Sequence, residues 1–276
     1  MVVMTAPASD LCLFASADGD LAYRDTGAGD PVVLLHSGFA DHRVFDAQVP
    51  ALAAAGYRVI APDVRGHGAS ANATAPFRWA DDLAGLLRHL DAGPAVLVGV
   101  SMGGIIATDT ALEYPELVRA VVACGAGTGE FRYTGPWATG VQAEQARALA
   151  AGDVEGWVTA WLRFVPGEHR TLDDIDPEIL RRLREMALHT LAKHTPDEEN
   201  RHVPLTGTRA RVPEIGVPVL TVNGALDDPE LVAEAEWLAR TVPHGRAVTV
   251  EGTGHYPNME RPEVFNEIVL GFLRGL

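Results

Sequence analysis

Residues Gly99-Val100-Ser101-Met102-Gly103 set one hydroxyl between two glycines. An apolar run, Val96 to Val98, precedes them, and a second, Ile105 to Ala107, follows. The spacing fits G-x-S-x-G, in which a strand turns sharply into a helix and pushes the serine outward. Glycines two residues to either side remove side chains that would collide in so tight a turn. The start of the helix beneath favours developing negative charge. Such a serine could attack a carbonyl, but at its free pKa it is a weak nucleophile and needs an adjacent base. The same five residues also suit a serine that caps an ordinary strand-to-helix turn, so the pattern is weighed with its context. Ten histidines are available as the base.

The elements around this turn alternate. "LCLFAS" and "DLAYRDTG", split by Asp18-Gly19, read as a hairpin. Near-continuous apolar strands follow at 32–36, 58–63, 96–100, 120–124, 217–224 and 246–252. Helical periodicity fills about 43–54, 77–91, 102–113, 229–241 and 261–274. Strand and helix in alternation predict an α/β fold with a doubly wound, mostly parallel sheet. From Gly127 to Pro213 the rhythm breaks, and "VQAEQARALAAG", "VEGWVTAWLRFV" and "PEILRRLREMALHTLAKH" read as helices. The expected organisation is therefore a core of residues 1–126 and 214–276 interrupted by a helical cap, 127–213.

A chain of 276 residues with 47% hydrophobic composition can bury a full core as one large domain with an insertion. Its formal net charge of -15 argues against nucleic acid and anionic membrane surfaces as partners. Cys12 and Cys124 are far apart and in no metal-like spacing, and Cys124 ends an apolar run as a small hydrophobe would. With no disulfide framework, no basic leader and no long apolar span, a cytoplasmic protein is expected. The spacing of His189 and His194 does not put them on one helical face, so no metal site is read there. No cofactor is called for.

Four stretches resemble the α/β-hydrolase superfamily, and together they span nearly the whole chain: "LLHSGF", "PDVRGHGAS", "GVSMGG" and "GTGHYPNMERPEVF". The resemblance implies an α/β-hydrolase fold with residues 127–213 in the cap position. It implies a Ser-Asp-His triad: Ser101 as nucleophile, His255 as base and Asp227 as acid, three residues past Gly224. Asp228, before Pro229, suits a helix cap instead. Glu130, beyond Cys124, is the third candidate acid. The oxyanion donors would be the amides of Met102 and, from the "HSGF" loop, Gly38, with Phe39 as the alternative. Here the chain departs from the family's usual His-Gly pair by carrying Ser37 after His36. His36, His67, Asp63, Arg65 and Ser70 fall in loop motifs that order the family's sheet edge.

The cap supplies Phe131, Tyr133, Trp137, Trp157, Trp161 and Phe164, of which Trp157, Trp161 and Phe164 share one helical face by spacing. Either these aromatics pack the cap onto the core or, with Phe39, they line an apolar substrate pocket. The run from Gly38 to Ser70 is closest in pattern to the 3-oxoadipate enol-lactonase and arylesterase branch. The expected reaction is cleavage of a small ester or lactone. A serine in place of aspartate argues against epoxide hydrolases and haloalkane dehalogenases. Met259 stands where carbon–carbon bond hydrolases usually carry tryptophan. Perhydrolysis, acyl transfer or cyclisation, and a receptor-like fold with vestigial chemistry remain rivals, and a homo-oligomer is compatible with the sequence.

Overall fold

A computed structural model describes residues 11–195 and 197–276. Eight strands form one sheet: β1 (Cys12–Ser16), β2 (Gly19–Gly27), β3 (Pro31–Leu35), β4 (Arg58–Pro62), β5 (Ala95–Val100), β6 (Val118–Cys124), β7 (Val219–Gly224) and β8 (Gly245–Val250). Their order is β1-β2-β4-β3-β5-β6-β7-β8, antiparallel at the two β2 pairings and parallel elsewhere. The chain winds outward from β3 to β4, then crosses back to lay β5 on the other side of β3. The loops leaving β3 and β5 therefore diverge at the carboxyl edge, and a crevice opens between them, which is where ligands gather in open parallel sheets.

The helices are α1 (Gln48–Ala54), α2 (Trp79–His89), α3 (Met102–Glu113), α4 (Pro136–Ala150), α5 (Val154–Leu162), α6 (Pro177–Leu191), α7 (Thr208–Arg211), α8 (Pro229–Thr241), α9 (Pro257–Glu260) and α10 (Pro262–Leu273). The helix expected over 261–274 is found as α10, whereas the one expected over 43–54 is split by proline. Pro50 has no amide hydrogen for a preceding turn, so α1 starts just before it and His42–Phe45 forms a separate 3₁₀ turn. Pro262 opens α10, and α9 stands apart from it.

The unbroken apolar strands β3 to β7 follow from helices on both faces, whereas β8, expected to be covered likewise, is an edge strand exposed along most of its length. Val96, Val98 and Val100 of β5 join one buried cluster, while Ala95 and Leu97 join the other. Val32 and Leu34 of β3 divide from Val33 and Leu35 in the same way. The first cluster continues into the segment between β6 and β7 through Trp157, Val158, Leu183 and Met186. Among the described residues of that segment no strand is found; one isolated bridge pairs His202 with Phe77.

This insertion is held down at the loops of the carboxyl edge. Lys193 donates to the carbonyls of His67, Gly68 and Ser70, and His194 Nε2 donates to the Gly66 carbonyl at 2.8 Å. Val165 accepts the His255 amide at 3.0 Å. Among the described residues no helix is long and apolar enough to cross a membrane.

Candidate active site

Ser101 follows the last residue of β5 and stands at the N-cap of α3 with φ 52° and ψ -115°. Positive φ is strained for a residue with a Cβ, by about 1–3 kcal/mol. Its surroundings enforce it. A Cβ on Gly99 would overlap the Gly103 carbonyl, and one on Gly103 would overlap the Leu35 carbonyl, so only glycine lets α3 start this close to β3 and β5. The Ser101 amide is fixed by the Cys124 carbonyl at 2.8 Å. Although it occupies an N-cap position, the Ser101 side chain makes no capping hydrogen bond. Ser101 lines a cavity of about 320 Å³.

His255 and Asp227 arrive from the loops after β8 and β7. Asp227 Oδ2 accepts from His255 Nδ1 at 2.9 Å, and both side chains are buried. That bond assigns the proton to Nδ1 and leaves Nε2 as the acceptor in the neutral ring. The two loops are joined by backbone bonds, Leu226 to Thr253 at 2.9 Å and Ala225 to Val250 at 3.0 Å. Burial alone would depress the His255 pKa, but the charge and hydrogen bond of Asp227 outweigh it, and the net shift is upward from 6.5. Asp228 turns away: its carboxylate accepts the Glu230 amide at 2.8 Å and caps α8. Glu130 is also committed elsewhere, to the amides of Gly207 at 2.7 Å and Arg209 at 2.8 Å.

Gly125, which no sequence pattern singles out, lies between the serine and this pair. It follows Cys124, adopts φ +56° and lines the same cavity as Ser101. A Cβ there would lie 3.0 Å from the His255 ring and 3.2 Å from Asp227 Oδ2. Asn223 of β7 holds the Gly125 amide at 3.2 Å.

Of the two expected amide donors, Met102 opens α3 directly after Ser101. Gly38 lies across the crevice, where a Cβ would stand 3.9 Å from Met102 Sδ. Phe39 has φ 60° and packs edge-on against Trp157 at 4.5 Å and Trp161 at 6.4 Å.

The expected aromatic face of the insertion splits. Trp157 and Trp161 stack at 6.4 Å, but α5 stops at Leu162, and Phe164 beyond it packs on Tyr133 and Trp137 instead. Trp137 lines a separate cavity of about 550 Å³ with Arg163 and Arg170, and none of Phe39, Trp137 and Trp161 lines the Ser101 cavity. That cavity is walled by Ile105, Thr128, Phe131, Tyr133, Gln142 and Leu231, several of them from the stretch just after β6. Its position at a strand's carboxyl end was the available signal.

The loop motifs are structural in their contacts. His36 donates from Nδ1 to the Ser37 carbonyl at 2.8 Å and accepts the Val64 amide at 3.0 Å on Nε2. His67 is pushed down to about 3, chiefly by burial. Burial works against the Asp63 charge, yet the His42 hydrogen bond and charge hold its carboxyl down to about 2. Arg65 forks onto Asp82 at 2.7 and 2.8 Å. Ser70 accepts the Ala22 amide at 2.8 Å and donates to the Asp63 carbonyl. Asp41, His42 and Asp63 lie close enough to share an ion, but Arg43 already occupies Asp41 at 2.7 Å and His42 occupies Asp63 at 2.8 Å.

The chain matches a known family, the alpha/beta hydrolase family, over residues 32–268. The chain belongs to it. It is 30% identical over 227 residues to 3-oxoadipate enol-lactonase 2 of Acinetobacter baylyi, covering 77% of each chain. It is 33% identical to a Mycobacterium tuberculosis protein named as a non-heme bromoperoxidase, BpoC, covering 93% of this chain and 98% of that one. A hydrolase from Pseudomonas aeruginosa superposes with a TM-score of 0.76 at 28% identity, covering 96% of this chain and 99% of the other. The α/β-hydrolase fold and an enzyme of hydrolase type are thereby established for this chain.

Proposed function

We propose that this hydrolase cleaves a carboxylic ester or lactone of a small, largely apolar molecule through an acyl-enzyme on Ser101. The observation that carries the reading is the strained, uncapped Ser101 hydroxyl at a cavity whose wall, Gly125, abuts the His255–Asp227 pair. In this reading His255 Nε2 takes the Ser101 proton as Oγ attacks the carbonyl. Asp227 holds the imidazole tautomer and stabilises the imidazolium. The amides of Met102 and Gly38 receive the oxyanion. The imidazolium returns the proton to the leaving oxygen, and water repeats the sequence on the acyl-enzyme. The helical insertion acts as a lid, in which Thr128, Phe131 and Tyr133 near its start shape the acyl pocket together with Ile105 and Leu231.

Similarity to BpoC supports a second reading, in which hydrogen peroxide intercepts the same acyl-enzyme. Turnover of short-chain p-nitrophenyl esters and five- and six-membered lactones, with and without peroxide, tests both. Steady hydrolysis without peroxide supports the first. Peracid formation far exceeding hydrolysis would replace it with the second, and a burst without turnover would contradict both and favour a receptor.

A further inference from the structure

The departure at Ser37 has a partner. Ser37 Oγ lies 2.8 Å from the hydroxyl of Tyr256, the residue after His255. Both are buried, at 1% and 2% exposure, so the two hydroxyls have each other in place of water. Ser37 stands between two fixed points. On one side His36 is locked by bonds from both ring nitrogens. On the other is Gly38, next to Met102. The Ser37 carbonyl also accepts the Ala40 amide at 3.2 Å, closing a tight turn around Gly38 and Phe39. Tyr256 presents its ring perpendicular to that of His255, with centroids 5.2 Å apart. One hydrogen bond thus spans the crevice between the loop after β3 and the loop after β8.

We propose that the Ser37–Tyr256 pair is a positioning device that sets the Gly38 amide and the His255 ring in register with each other. The inference rests on the proposed acyl-enzyme reading. Other bonds hold the two segments together further along: Asn258 Nδ2 donates to the Val44 carbonyl at 2.9 Å, and Gln48 donates to the Asn258 carbonyl at 3.0 Å. Removing the hydroxyl pair therefore leaves the loops docked but free to shift by the small distances to which oxyanion geometry is sensitive. The Tyr256 hydroxyl stays protonated, because burial raises its pKa, so the link holds throughout the working pH range.

A mutant cycle separates positioning from packing. Tyr256→Phe and Ser37→Ala each leave one buried hydroxyl unpaired, whereas the double variant leaves none. Each single variant should lose about tenfold in kcat on p-nitrophenyl butyrate, with KM within about twofold, less than the loss of a whole oxyanion donor. The double variant should recover melting temperature but not kcat, and Ser37→Thr, which keeps the hydroxyl, should restore kcat. Parent-like kcat in Tyr256→Phe, or kcat recovering together with melting temperature in the double variant, would overturn the inference alone. A parent protein that neither turns over the ester nor reacts with a fluorophosphonate would overturn the acyl-enzyme reading and this inference with it.

Discussion

Around Ser101, His255 and Asp227 each turn is fixed by contacts that allow no substitute. Ser101 is held at positive φ between glycines, Gly125 leaves no room for a Cβ beside the His–Asp pair, and the loops after β7 and β8 are bonded backbone to backbone. The outer face of the insertion is built differently. Arg181 reaches Glu178 and Glu185, Arg184 reaches Glu155, and Arg163 reaches Glu144, all at exposed side chains. Such pairs are worth about 0–1 kcal/mol each. The insertion owes its place to its apolar underside and to a few clasps, Lys193 above all. The contrast teaches that the groups proposed to react are set by close approach of backbone, whereas the helices between β6 and β7 form a layer whose surface tolerates change.

The sharpest way to break this comparison is to alter carboxylates on either side of it. Asp227→Asn should lower kcat by about 10⁴-fold, because the wrong imidazole tautomer becomes available. Asp228→Asn should cost about tenfold or less, through the cap of α8. Glu130→Gln, which touches only the start of α7, should leave kcat unchanged. A crippled Glu130→Gln would reassign the acid. The pH profile sharpens the same point. The base works when neutral, and folded His255 holds its proton more tightly than an ordinary histidine. The kcat/KM of the parent should therefore rise with pH through a midpoint above 6.5. In Asp227→Asn the largest upward influence is lost while burial remains, so the residual activity should show a lower midpoint. An unchanged midpoint would mean that Asp227 does not govern the base.

A smaller effect is expected from one chemical change made in each region. Gly125→Ala puts a methyl 3.0 Å from the His255 ring at positive φ and should cost tenfold or more in kcat, by displacing His255. Gly140→Ala meets nothing within 4 Å on α4 and should stabilise the fold by about 0.5–1 kcal/mol without altering kcat. Equal effects in thermal melts and kinetics would erase the distinction between the two regions.

What the sequence made legible follows the same division. Strands buried on both faces announce themselves as apolar runs, and α3 and α8 begin and end where their patterns do. That Ser101, Asp227 and His255 leave strand ends was read from local glycines and from the resemblance to the family's motifs, and the structure joins Asp227 to His255 by a hydrogen bond. Gly125 was not readable, since its constraint comes from a ring 130 residues away in the chain. Phe131 and Tyr133 of the aromatics read from the sequence do line the Ser101 cavity, but the expected helix face did not hold together, for a related reason. Helical spacing grouped Phe164 with Trp157 and Trp161, but α5 ends first, and tertiary packing sends Phe164 to Tyr133 and Trp137. The hydroxyl bond between Ser37 and Tyr256 was equally invisible, because it pairs two loops with no pattern in common.

The central claim is that Ser101 carries the acyl group, and peptide mapping after reaction with a fluorophosphonate tests it most directly. The account predicts a single phosphonyl adduct on the peptide containing Ser101, formed in step with loss of esterase activity. In Ser101→Ala, which should melt like the parent, adduct and turnover should both be absent, the latter down by about 10⁴-fold or more. An adduct on another residue, or a well-folded Ser101→Ala protein that still hydrolyses esters at a tenth of the parent rate, would contradict it.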